Sequence, residues 1–300
     1  METKIGTNSC TAIKKLNGKK MSKYCIAIPA YKEELDVAEK ISLKRLYEVL
    51  VNKSNVYLFC PVELNVSKYK EIFPEIQVME FGQENFTSID AYSHLCMKYE
   101  FYNSFSEYEY MIIYQLDCYL MKDDLEEWCY KGYDYIGAPI MVPHSDWKNF
   151  SVDQQGQISA FTPAVGNGGF SLRNIDVFKT LTDPNGELRQ RYNLTDEALK
   201  DVKYEDVYFC VELWRLYDFE KPKFDEAMKF AIDMNPDLIY NKYGFSGYPT
   251  CIHAFDKNIP FWRNRISDFD NDELYNHCYN KNKKFIDTYY FHKNENTANS

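Results

Sequence analysis

Short apolar runs alternate with helix-like segments over the first 120 residues, and this order restricts the fold more than any other feature of the chain. Four runs have the composition of buried strands: 24–28, 56–60, 77–81 and 110–114. Apolar residues recur at helical spacing over 33–52, and Ser88 or Asp90 is suited to begin a helix that runs to about Tyr102. The order predicts an α/β fold with a mainly parallel central sheet flanked by helices.

The remainder of the chain extends the same domain. We predict a strand ending near Ala138, a long polar loop over 141–164, and a short helix over 174–181. A polar stretch follows, and Glu205-Asp206 then begins an apolar-striped helix. The predicted organisation is given by four ranges: a flexible start at 1–22, a single domain at 23–265, a helical extension at 266–293 and a disordered tail at 294–300.

Composition excludes several classes of protein. The formal net charge of −10 disfavours a nucleic-acid partner, because such a surface repels phosphate backbones. No apolar run approaches the length of about 18 residues that spans a bilayer, and the start of the chain lacks the apolar core of a signal peptide. The nine cysteines are scattered through apolar runs, so we predict reduced core thiols and a cytoplasmic protein.

Two segments follow predicted strands at the edge where ligands bind in α/β sheets. Residues Pro29, Ala30, Tyr31 and Glu33 follow the first strand, and Gln115-Leu116-Asp117 follows the fourth. Carboxylate oxygens suit hard divalent cations, which makes Asp117 a candidate metal ligand. The alternative is an ordinary turn aspartate at the end of a strand.

Three later segments carry groups of chemical interest. Gly166-Asn167-Gly168-Gly169 allows a ligand to approach the backbone closely, or forms an ordinary tight turn. Glu205 and Asp206 offer a general base and a hydroxyl-binding acid, or simply complement a helix N-terminus. His253 is a candidate metal ligand or a buried, hydrogen-bonded histidine, and Lys257 provides a compact charge suited to a diphosphate.

Taken in order, these segments resemble GT-A fold glycosyltransferases, in particular a poorly characterised family of bacterial and viral sugar transferases. Residues 26–33 resemble the nucleotide-binding first strand of that superfamily, with its Rossmann-like architecture. Gln115-Leu116-Asp117 stands where such enzymes carry an Asp-x-Asp metal motif. Gly168-Gly169 and Glu205-Asp206 resemble the Gly-Gly segment and acidic pair of fringe and β-1,4-galactosyltransferase-type enzymes, and His253 matches their late metal-binding histidine. The resemblance covers residues 23–265.

The resemblance implies a nucleotide-sugar donor, favouring a UDP-sugar, a Mn²⁺ or Mg²⁺ ion, and a glycan or lipid-linked acceptor. It implies that Asp117 and His253 bind the metal, that Asp206 is the base with Glu205 beside it, and that Asn167, Gly168 and Gly169 contact the sugar or acceptor. The implied donor-binding residues are Pro29, Ala30, Tyr31, Glu33, Gln115, Leu116 and Lys257. The chain departs from the pattern at Gln115, which replaces the first aspartate of the metal motif.

Other functions remain open. Residues 253–262 also resemble the late segment of retaining glycogenin-like enzymes, although the acidic pair favours inversion. A sugar nucleotidyltransferase shares the architecture but requires a glycine-rich loop after the first strand, where this chain has none. The replacement at Gln115 leaves a non-catalytic carbohydrate-binding protein as a further alternative. The segment 268–293 is predicted to pack on the core or to contact a membrane surface near a lipid-linked acceptor.

Overall fold

The computed structural model describes residues 23–50, 55–140, 165–213 and 216–291. The segments predicted as a flexible start, a long polar loop and a disordered tail lie outside the described residues. The chain has a mixed α/β architecture with a central sheet of six strands in the order β3-β2-β1-β4-β7-β6. These strands are β1 (Tyr24–Pro29), β2 (Val56–Pro61), β3 (Gln77–Phe81), β4 (Tyr110–Tyr114), β6 (Tyr135–Gly137) and β7 (Phe170–Asn174).

Most of the sheet is parallel, as the sequence predicts. β1 pairs in parallel with β2 and β4, and β2 with β3. β7 is antiparallel to both of its neighbours, β4 and β6. Five strands therefore point the same way, and their carboxyl ends share one edge.

Side chains alternate between two buried faces of the sheet. On β1, Ile26 and Ile28 pack into one hydrophobic cluster, whereas Cys25 and Ala27 pack into another. Because helices cover both faces, the buried strands β1, β2 and β4 read as nearly continuous apolar runs.

The helices surround this sheet, and their ends differ from the sequence-based expectations in ways that local chemistry explains. The first begins at Val37 rather than near Glu33, because Asp36 and Glu39 form a reciprocal capping box. The predicted helix up to Tyr102 is divided in two at Lys98, whose backbone is extended.

The helices of four or more residues are Val37–Val49, Ser67–Ile72, Ile89–Leu95, Tyr99–Asn103, Leu125–Tyr130, Ile175–Thr182, Glu187–Arg191, Asp196–Leu199, Phe224–Phe230, Pro236–Lys242, Ile259–Trp262, Asp272–Lys281 and Lys283–Ile286. A further helix starts as Glu205–Val207 and continues as a π-helix over Tyr208–Glu212, 3₁₀ turns cover Gln83–Phe86 and Ser267–Phe269, and a second π-helix covers Asp287–Phe291.

A second, three-stranded sheet organises the region beside the carboxyl edge. Its strands are β5 (Tyr119–Leu120), β8 (Ala231–Ile232) and β9 (Cys251–Ile252), in the order β5-β9-β8. β8 and β9 are parallel, so the residues that follow them end side by side, while β5 runs the other way and begins there. Strands of two residues are too short to produce a periodic signal, and the sequence did not predict this sheet.

The C-terminal helices pack against the domain. Leu274, Cys278 and Ile286 are fully buried in one cluster with Phe255 and Trp262. The eight cysteines in the described residues are free and buried, which confirms that these thiols lie in the core. Among the described residues, no helix has both the length and the apolar character needed to cross a bilayer.

Candidate active site

The three-stranded sheet brings together Asp117, Cys118 and His253, which are far apart in the sequence. Asp117 and Cys118 directly precede β5, and His253 directly follows β9. Asp117 Oδ1 lies 3.2 Å from His253 Nε2. The ligand atoms of all three residues lie within 4.8 Å of one another, an arrangement that could hold a metal ion.

A second carboxylate, which the sequence analysis missed, faces the other nitrogen of the same imidazole. Asp233 follows β8, and its Oδ1 atom lies 3.1 Å from His253 Nδ1. Its other oxygen accepts a hydrogen bond of 2.9 Å from Asn167 Nδ2. The signal in the sequence was an acid directly after the short apolar run 230–232, which is too brief to stand out.

The contacts around His253 are close in distance but are not aligned as hydrogen bonds. Asp117 Oδ1, Asp233 Oδ1 and both ring nitrogens of His253 are buried, and among the described residues they find no hydrogen-bond partner of acceptable geometry. Buried polar atoms in native proteins are nearly always satisfied. One oxygen ligand and one imidazole nitrogen facing each other fit a divalent cation between Asp117 and His253.

Charge pairing dominates the ionisation of this cluster. Burial alone would raise the pKa of Asp117, but the neighbouring His253 and Lys257 outweigh it and lower the pKa to about 2. Burial alone would lower the pKa of His253, but Asp117 and Asp233 raise it well above its ordinary value. The site therefore concentrates negative charge around a buried imidazole.

The glycine pair lies between this cluster and the acidic pair. A Cβ atom on Gly169 would lie 2.1 Å from His253 Nε2, so no side chain fits at that position. A Cβ atom on Gly168 would lie 2.7 Å from Glu205 Oε1. The backbone N–H of Gly168 donates a 3.0 Å hydrogen bond to Asp206 Oδ2, and that of Gly169 donates one of 3.0 Å to Asn167 Oδ1. Asp206 and His253 thus lie beside neighbouring residues of one backbone segment.

Asp206 has the ionisation expected of a proton acceptor near neutral pH. Burial and the adjacent negative charge of Glu205 raise its pKa to about 6, although the N–H groups of Gly168 and Val207 partly oppose the shift. A carboxylate with such a pKa is suited to general-base work.

Glu205 is buried in a polar network rather than open to the cleft. Its Oε1 atom accepts a 3.1 Å hydrogen bond from Arg173 Nη2, and its Oε2 atom accepts one of 3.2 Å from Ser93 Oγ. Arg173 is fully buried and also donates to the hydroxyls of Tyr102 and Ser171. The ion pair between Arg173 and Glu205 thus connects β7 to the start of the helix that carries Asp206.

The predicted donor-binding residues lie along the same edge. Pro29 ends β1, Ala30 is buried, and Tyr31 is 61% exposed beside the exposed Glu33. The backbone N–H of Gln115 donates to the carbonyl of Gly169 at 2.9 Å, and its amide donates to the hydroxyl of Tyr92 at 3.4 Å.

Two other predicted donor residues differ in exposure. Leu116 is buried. Lys257 is partly exposed, and its charge acts on Asp117.

The mixed α/β domain, with its six-stranded central sheet flanked by helices, has the GT-A type of fold. The structure of mouse xyloside xylosyltransferase 1, in its apo form, matches with a TM-score of 0.50 at 12% identity, over 77% of this chain and 97% of that chain. The chain belongs to the family described as "Protein of unknown function (DUF5672)", whose sequence profile matches residues 75–253, more than half of its length. No curated protein matches the chain.

Two further structures are similar at lower scores. The WbbM bifunctional glycosyltransferase, in its apo form, has a TM-score of 0.46 at 12% identity, over 79% of this chain and 46% of that chain. Core-mannan synthase A from Aspergillus fumigatus, in a Mn/GDP form, has a TM-score of 0.47 at 11% identity, over 68% of this chain and 72% of that chain. None of these three structures is a fringe or β-1,4-galactosyltransferase enzyme, so the resemblance to those enzymes stays an expectation.

Proposed function

We propose that this chain is a glycosyltransferase that transfers a sugar from a nucleotide-diphosphate donor, favouring a UDP-sugar, to a hydroxyl of a glycan or lipid-linked acceptor. One observation carries the proposal: the backbone N–H of Gly168 donates a hydrogen bond to Asp206, and Gly169 lies against His253. A proton acceptor and a candidate cation site therefore lie on either side of one short backbone segment that has no side chains. Transfer to a hydroxyl can use such a base, and a cation can neutralise the leaving diphosphate.

In this proposal, Asp117 and His253 hold a Mn²⁺ or Mg²⁺ ion. The ion would neutralise the negative charge that develops on the leaving diphosphate. Asp233 Oδ1 lies 3.1 Å from His253 Nδ1, and its charge favours the ring position in which Nε2 faces Asp117. Asn167 anchors Asp233 and Gly169 together, so that the histidine and the glycine pair keep their spacing.

Asp206 acts as the base that removes the proton from the acceptor hydroxyl, which favours an inverting reaction. Glu205 supports it through charge: its proximity raises the pKa of Asp206, while Arg173 holds Glu205 in place. Asn167, Gly168 and Gly169 offer the backbone surface against which the transferred sugar lies.

The donor lies along the carboxyl edge of the sheet. The exposed ring of Tyr31 offers a face for stacking on the base, and Glu33 lies two residues further along. Gln115 offers an amide where related enzymes offer a carboxylate, so fewer negative charges surround the metal. Lys257 adds a positive charge near Asp117 for the diphosphate.

Transfer by the purified chain tests this proposal. With Mn²⁺ and a panel of nucleotide sugars, wild-type protein should release nucleoside diphosphate, and Asp206→Asn should lower kcat by about 10²–10⁴-fold, the usual contribution of general-base catalysis. Asp201→Asn is the matched control, because Asp201 is exposed and lies five residues away. Full activity in Asp206→Asn would refute the assignment of the base, and a product with retained anomeric configuration would refute inversion.

A further inference from the structure

The turn that follows β9 carries two residues of the proposed cation and diphosphate site, and its backbone is strained. His253 begins the turn, and Lys257, whose charge acts on Asp117, lies four residues further along. Ala254 lies between them and has a φ of 48°, in the left-handed region. This conformation costs an alanine free energy, because its Cβ atom crowds the following carbonyl. Such strain persists where surrounding contacts enforce it, and it concentrates at functional sites.

Hydrogen bonds to one carbonyl hold the strained conformation. The backbone N–H groups of Lys257 and Asn258 donate to the carbonyl of Ala254 at 3.2 and 3.3 Å. The side chain of Asn258 is fully buried, and its Nδ2 atom donates to the same carbonyl at 3.0 Å. The amide of Asn258 therefore closes the turn at Ala254.

A tyrosine near the end of the chain fixes that amide. Tyr290 lies in the π-helix Asp287–Phe291, and its hydroxyl donates a 2.8 Å hydrogen bond to Asn258 Oδ1. Because the amide oxygen is held by Tyr290, the amide nitrogen faces the carbonyl of Ala254. The conformation at Ala254 thus depends on a hydroxyl that comes from the C-terminal helices.

A second contact reaches the same turn from the same part of the chain. Asn282 joins two of the C-terminal helices, and its Nδ2 atom donates a 3.1 Å hydrogen bond to Oδ2 of the buried Asp256. Asp256 Oδ1 in turn accepts the backbone N–H of Lys257 at 2.8 Å. The C-terminal helices therefore hold both residues that flank Lys257, Asp256 through Asn282 and Asn258 through Tyr290.

We propose that Tyr290 is a positioning residue for the cation and diphosphate site, an inference that rests on the proposed function. Through Asn258 it keeps Ala254 at positive φ. That φ sets the direction in which the backbone leaves His253 and returns at Lys257, and so the spacing of the imidazole and the ammonium group. The C-terminal helices thereby act on the site through the turn.

Calorimetric titration of Mn²⁺ into the whole chain is the first test. Tyr290→Phe should bind Mn²⁺ about tenfold more weakly than wild type, because groups that orient a metal ligand contribute to metal affinity. Tyr279→Phe is the matched control and should bind as wild type does, since it loses a hydroxyl bond of the same 2.8 Å length but to Asp287, within the C-terminal helices. Adding Ala254→Gly to Tyr290→Phe should restore most of the affinity, because glycine adopts positive φ at little steric cost.

NMR spectra of the chain with isotopically labelled histidine, recorded without metal or nucleotide, are the second test. The ring signals of His253, assigned by their absence in His253→Gln, should shift in Tyr290→Phe, return when Ala254→Gly is added, and stay in place in Tyr279→Phe. Unchanged signals in Tyr290→Phe, or a shift that Ala254→Gly does not reverse, would overturn the proposal, as would wild-type Mn²⁺ affinity in Tyr290→Phe. If wild type itself binds no Mn²⁺, the proposed function fails, and the histidine spectra still decide the role of Tyr290.

Discussion

Asp206 depends on its neighbours for the ionisation that the proposed chemistry needs. Burial, and then the negative charge of the adjacent Glu205, raise its pKa to about 6. Gly168 and Val207 donate N–H groups to it and keep the carboxylate form accessible. The residue is thereby held ready to accept a proton just below neutral pH.

The pH profile of activity follows from this value. Because the base works as a carboxylate, kcat/KM should fall as pH falls through about 6, by tenfold per pH unit well below it. Glu205→Gln removes the neighbouring negative charge, which lowers the pKa of Asp206 and should move this limb to lower pH. Steady-state rates across pH measure the effect. If kcat/KM falls at the same pH in Glu205→Gln as in wild type, the electrostatic coupling between Glu205 and Asp206 is contradicted. Asp201→Asn is the control and should leave the pH profile unchanged.

Gly169 is constrained by the side chain it faces. Gly169→Ala places a Cβ atom 2.1 Å from His253 Nε2, so the imidazole must move away from Asp117. We expect Mn²⁺ to bind about tenfold more weakly or worse, as measured by calorimetry. Gly82→Ala is the control, because its Cβ meets only the end of the exposed Glu84 side chain, which can move aside. Wild-type Mn²⁺ affinity in Gly169→Ala would exclude His253 as a ligand.

At the scale of elements, the ion pair of Arg173 and Glu205 joins a strand to a helix. Arg173 lies on β7 and is completely buried, and Glu205 begins the helix that continues through the π-helix. A buried pair of this kind is costly to break, because one charge remains without its partner.

Removing the arginine should therefore destabilise the whole domain. Arg173→Met leaves Glu205 buried and uncompensated, and we expect a loss of about 3–5 kcal/mol in the free energy of unfolding. Denaturant unfolding measures it, and the exposed Arg191→Met should change stability by less than about 0.5 kcal/mol. Equal stability of the two variants would show that the pair contributes little.

The C-terminal helix is tied to the loop that carries Lys257. Lys281 Nζ lies 3.1 Å from Asp36 Oδ2, at the start of the first helix, and 3.2 Å from Asp256 Oδ2. Asp256 is buried, and it accepts the backbone N–H of Lys257. One side chain at the end of the chain thus connects three elements.

Lys281→Met should weaken this connection. The buried Asp256 keeps Asn282 but loses its cation, so we expect a loss of about 1–3 kcal/mol in the free energy of unfolding. Lys284→Met, which makes the same change three residues further along the chain, is the control. Thermal and denaturant unfolding measure the stability of both variants. Equal losses of stability in the two variants would contradict a stabilising role for the contacts of Lys281.

At the scale of the whole molecule, the central sheet was predictable and the site only partly so. Apolar runs gave β1, β2 and β4 nearly residue by residue, since strands buried on both faces have few polar interruptions. The bounds of β3 were also predicted, although it is a largely exposed strand at the edge of the sheet. Asp233 was not predictable, because two-residue strands determine its place and leave no pattern in the chain. The burial of Glu205 was not predictable either. An acid at the start of a helix gives the same sequence pattern whether its side chain faces a cleft or a buried arginine.

The central claim is that distant parts of the chain form one site for a nucleotide and a cation. Titration of UDP into the whole chain, with and without Mn²⁺, tests it most directly. We predict that UDP binds in the presence of Mn²⁺, that Asp117→Asn weakens this binding by about tenfold or more, and that Asp206→Asn leaves it nearly unchanged. Equal UDP affinity in wild type and Asp117→Asn, or binding indifferent to Mn²⁺, would contradict the account.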